Sequence, residues 1–138
     1  MPVADPNTQG ELEDVRHDLQ NVAKHDPSAP QDLTDDLVKY SRRRTAVPAV
    51  NELTRRTVTV LAGKNVTEPA GNRLAHSLWT VVYARELSER QIEALQNDVQ
   101  SQLVAIGVQQ PQAQQVAAQV GEVQKAVGDR PRRWYELF

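Results

Sequence analysis

The sequence predicts an all-α domain: six short helices of about 20-residue period, forming either a helical-repeat-like array or an irregular bundle. Three observations lead there. Apolar residues recur at steps of three and four, as in Ile92, Leu95, Val99, Leu103 and Ile106, which marks one buried helical face. Aliphatic anchors repeat at a near-constant spacing, Val15, Leu33, Leu53, Leu74, Leu95 and Val116 standing 18, 20, 21, 21 and 21 residues apart. No run reads as a strand, since even "RRTVTVLAG" falls in register with the helical stripes.

The first helix is expected over 9–24, with Thr8 and Glu11 as a capping box and Val15, Leu19 and Val22 as its stripe. The second, over 31–44, comes after Pro27 and Pro30 and buries Leu33, Leu37 and Tyr40. The third, over 50–62, comes after Pro48, buries Leu53 and Val60 with Thr57 interrupting, and stops at Gly63. The fourth, over 69–86, starts from Thr67 with Pro69 early in the helix and buries Leu74, Leu78, Val81 and Val82.

The fifth helix, over 89–106, has the clearest boundaries. Ser88 and Gln91 form a capping box, Leu87 and Ile92 a hydrophobic staple, and Gly107 the left-handed stop. Gln102 breaks its stripe and Leu103 takes over one place later. The sixth, over 111–127, opens at Pro111 and carries Val116, Val120 and Val123. A second column, Val47, Val66, Leu87, Val108 and Val127, recurs 19, 21, 21 and 19 residues apart in the connections. Residues 9–128 are thus expected as a single helical domain, between a disordered segment 1–8 and an aromatic C-terminal tail 129–138.

The whole chain narrows the function classes. Its 138 residues carry a formal net charge of −2 and a pI near 5.9, so no global field draws it to nucleic acid or an anionic membrane. Aromatic residues make up only 4%, which leaves the core to Val, Leu and Ala. The absence of cysteine excludes disulfides, thiolate metal sites and cysteine nucleophiles. No apolar run approaches the ~20 residues of a membrane span, and "MPVADPNTQG" has neither the basic nor the apolar part of a signal peptide. A soluble protein is expected, cytoplasmic, or periplasmic or secreted if this terminus is a processed one.

Four features stand out. In the fourth helix His76, Trp79 and Tyr83 share the side opposite the stripe, either as a second packed face or as a recognition surface. Arginine outnumbers lysine 12 to 4, with clusters at Arg42, Arg43 and Arg44, at Arg55 and Arg56, and at Arg130, Arg132 and Arg133. These are candidate phosphate contacts, against the plainer role of helix-end charge and internal pairing. The tail "DRPRRWYELF" holds Trp134, Tyr135 and Phe138, either folded back on the last helix or offered to a partner. Residues 109–124 include seven glutamines, read as a polar, uncharged outer face.

Catalytic chemistry finds little support. His17, His25 and His76 are scattered, "HSLW" lacks the strand-to-helix elbow a nucleophilic serine needs, and "LAGKNVTEPAG" lacks phosphate-loop spacing. The expected function is a non-enzymatic structural or protein-interaction module with no cofactor or metal, which binds another protein or itself. Two alternatives stand beside it: nucleic-acid or phosphate binding through the arginines, and an enzyme whose site is assembled from distant residues such as His76.

Overall fold

The described residues contain six helices and no strand: α1 (Pro6–Ala23), α2 (Ala29–Ser41), α3 (Val47–Leu61), α4 (Glu68–Tyr83), α5 (Glu89–Ala105) and α6 (Gln110–Gly128). The computed structural model describes residues 6–41, 47–84 and 86–128. Arg42, Arg43 and Arg44, most of the expected segment 1–8 and the tail 129–138 therefore lie outside the described residues.

Each element arises from local signals. Ser88 is extended, its Oγ accepts the Gln91 backbone N–H at 3.1 Å, and Gln91 Oε1 accepts the Ser88 N–H at 2.8 Å, which closes the capping box. Ser88→Ala is expected to cost about 1 kcal/mol in urea unfolding, because one helix-end donor loses its acceptor. At the other end of α5, Gly107 takes φ 95°, Val108 N–H bonds Leu103 O and Gly107 N–H bonds Val104 O, a Schellman closure. Helix α1 closes in the same way with His25 at φ 63° in place of glycine.

Two starts differ most from expectation. Helix α1 begins at Pro6, so Thr8 lies inside it rather than capping it, and Glu11 turns to Trp79 instead. Helix α3 begins at Val47, which puts Pro48 in the first turn, where its missing N–H costs nothing. In the β-branched run of α3, Thr54, Thr57 and Thr59 donate their hydroxyls to the carbonyls of Val50, Leu53 and Arg55, four residues back, so the helix meets these donors itself. Thr57 is thereby fully buried without an unmet donor.

The anchors Val15, Leu33, Leu53, Leu74, Leu95 and Val116 are all buried, as are Leu19, Leu37, Leu78, Val99 and Val120 one turn further on. They meet in one continuous core, with Leu103 buried in the place Gln102 vacates. The order of packing is the less expected part. Helices pair with their successors except α3 with α4, while α1 also lies against α4 and α3 against α6, with α4 touching α2 and α6 as well. A linear array confines each unit to its neighbours; these crossings make the arrangement a bundle.

Candidate functional site

The α1–α4 contact brings one face of the fourth helix to the surface. Trp79 is half-buried against the core, and its indole N–H donates to Glu11 Oε2 at 3.2 Å. One turn on, Tyr83 stacks against it with ring centroids 4.4 Å apart and planes 14° from parallel. Tyr83 is exposed, as is His76 one turn before Trp79. The structure thus places His76, Trp79 and Tyr83 along one strip, with the indole held by a carboxylate of another helix. Arg16 borders this region, bonding Gln20 Oε1 at 3.3 Å and lying 3.9 Å from Glu68 Oε1.

The neighbouring α1–α2 contact is acidic, a feature absent from the sequence-based expectations. Asp18 is buried, at 8% exposure, and reaches the carboxyl of Asp36. Among the described residues no N–H or O–H donor meets its Oδ2. Burial, then the hydrogen bond and charge of Asp36, then the charges of Asp32 and Asp14, raise its pKa from 3.8 to about 8. Tyr40 closes the cluster by donating its hydroxyl to Asp14 Oδ2 at 3.0 Å; its phenol is pushed up by burial first and by that bond second. Among the described residues no group of three or more histidine and carboxylate side chains is arranged to hold a metal ion.

The described arginine cluster converges on a single carboxylate at the surface. Arg55 grips Glu52 through Nη2 at 2.6 Å and Nε at 2.9 Å. Arg56 Nε lies 3.0 Å from Glu52 Oε1, an ion pair rather than an aligned hydrogen bond. Glu52 is held below the usual carboxylate range, chiefly by the Arg55 bond. Internal pairing therefore occupies both side chains, and what faces solvent is one net positive charge over three groups.

Gln109, Gln110, Gln112, Gln114 and Gln115 are exposed as expected, whereas Gln119 and Gln124 are not. Gln124, at 2% exposure, donates its amide to Val81 O at 2.5 Å and Thr80 O at 3.4 Å. Gln119 donates to Ala49 O at 3.4 Å, and Gln96 of α5 to Ala117 O at 3.0 Å. Gly121 leaves room for that last side chain, since a Cβ there would stand 2.5 Å from Gln96 Nε2. Part of the expected outer face is thus a set of side-chain to backbone ties between helices.

No family model, curated protein or solved structure matches the chain. Among the described residues no helix is long and apolar enough to cross a membrane.

Proposed function

We propose that the protein is a non-enzymatic interaction module whose α1–α4 face receives a cationic segment of another protein. An arginine or lysine of the partner lies over the Trp79–Tyr83 rings, with Glu11 and Asp14 as counter-charges. The stacked ring pair carries this reading. Two aromatic faces fixed at 4.4 Å, one indole pinned by Glu11 and its partner ring exposed, present a rigid anchor of the kind that dominates binding energy at interfaces. A cation within ~6 Å of such a ring gains about 0.5–2 kcal/mol. The acids of α1 set the sign of the preferred partner, and exposed His76 extends the strip by one turn.

An arginine-bearing hexapeptide titrated into the full chain tests this by NMR. The expected result is a shift of the Trp79 indole N–H and of the Glu11 and Asp14 side chains that weakens with salt. Replacing His76 and Tyr83 together by alanine, which leaves Trp79 and its core packing in place, is expected to weaken binding about tenfold, the loss of about 1.4 kcal/mol. Perturbations confined to other helices, or equal affinity in the double variant, would sink the proposal.

A further inference from the structure

A cavity of about 640 Å³ lies between the start of α5, the second half of α6 and the α4–α5 connection. Its apolar lining includes Leu87, Ile92 and Ala118, and Gly121 contributes no side chain. Its described lining also carries the carboxylates Glu86, Glu89 and Glu122 and the ammonium of Lys125. The volume falls in the range that holds a drug-sized group, and the rim is acidic.

The described chain leaves α6 at Gly128, three residues after Lys125. The sequence continues as "DRPRRWYELF", with Arg130, Arg132 and Arg133 directly before Trp134 and Tyr135. We infer that this cavity is the docking site of the chain's own segment 129–138: Trp134 and Tyr135 enter it, and the three arginines pair with the carboxylates at its rim.

Reach, charge and shape agree on this occupant. Trp134 stands six residues beyond Gly128, a span of up to about 20 Å when extended. Gly121, on the cavity wall, is only about 10 Å back along the α6 axis. Pro131 fixes a backbone angle within the short stretch that must reverse direction. The arginines also leave the helix at its C-terminal end, where the macrodipole favours positive charge. Burying two aromatic rings would offset the cost of ordering the segment and would cover the apolar floor between α5 and α6. The site is separate from the α1–α4 face, so the two proposals stand or fall independently.

Trypsin cleavage after Arg133 in the full chain, followed by mass spectrometry, is the test, since cutting tracks the undocked population. Cleavage is expected about tenfold or more slower than in a free peptide of residues 129–138. Three full-chain variants should restore the peptide rate: Trp134→Ala with Tyr135→Ala, Ala118→Trp, which fills the cavity from an exposed position, and Glu89→Lys with Glu122→Lys. Hydrogen exchange of residues 86–96 should rise in the same variants. A wild-type rate equal to that of the peptide overturns the proposal. So does slow cleavage indifferent to Ala118→Trp, which would place the segment elsewhere. Protection that grows with protein concentration also overturns it, since a second copy would then be the donor.

Discussion

Replacing Gln124 by leucine is expected to lower the stability of the domain by about 2–3 kcal/mol, although the substitution adds apolar surface to a buried site. Helix α4 stops at Tyr83 because Ala84 turns extended, φ −70° and ψ 143°. Thr80 O still receives the Ala84 N–H, and Val81 O, in the last turn, takes a donor from another helix. The Gln124 amide supplies that donor from α6. Leucine would take this donor away from a buried carbonyl, a penalty of about 1–3 kcal/mol, and would release the tie between the two helices. For a domain of this size the midpoint should fall by roughly 6–12 °C. Gln124→Glu sharpens the test: its carboxylate would face two carbonyl oxygens at neutral pH, and its protonated form would restore the donor in acid. Gln114→Leu, at an exposed position of the same helix, should stay within about 0.5 kcal/mol of the parent. A Gln124→Leu variant as stable as that control would show that the tie contributes nothing.

Asp18→Asn is expected to stabilise the protein by about 2–4 kcal/mol at pH 8.5 and to leave it unchanged at pH 4. The folded protein keeps a proton on Asp18 up to about pH 8, whereas the unfolded chain releases it near the ordinary 3.8. Between those values the folded state binds more protons at this site, so the stability Asp18 contributes is greatest below about pH 4, falls as pH rises through the interval, and levels off above pH 8. The cause is geometric. Asp36 and Asp32 of α2 and Asp14 of α1 all face Asp18, and Asp14 already accepts the Tyr40 hydroxyl. Asparagine keeps the shape and a donor toward Asp36 without a titrating group. Urea unfolding of parent and variant at half-unit pH steps reads the difference directly. Parallel curves from pH 4 to pH 9 would mean that the pair does not hold its proton.

The stripes are legible in the sequence because burial demands them. Val15, Leu19, Leu33, Leu37, Leu74, Leu78, Val116 and Val120 sit at helical spacing, and all are buried in one core. The Ser88–Gln91 box and the Gly107 stop are equally plain, since each satisfies backbone groups within a few residues. Asp18 and Gln124 are harder to read, although both stand on buried stripes. Asp18 lies three residues after Val15 and four before Val22, and Gln124 four after Val120. A polar residue in such a register is a buried group seeking a partner, and neither partner lies within its own helix. A neutral outer face is what residue type suggests for the glutamines, but position decides. Trp79 shows the complementary limit. The face it shares with His76 and Tyr83 is set by the helical period, but its bond to Glu11 spans 68 residues, a distance no local pattern encodes. Stripes tell which side of a helix is covered, and leave open which helix covers it.

The pairing of α3 with α6 affects how the molecule is made. Leu53, Thr57 and Val60 of α3 are buried in the finished core, which α6 helps to close. On a ribosome α3 emerges some fifty residues before the helix that shields it, at roughly 5–20 residues per second. For several seconds the part of its apolar side that packs on α6 has no permanent cover, and the core cannot close until α6 has been synthesised. A bundle joined this way completes its folding late and as a unit, whereas a linear stack could settle helix by helix.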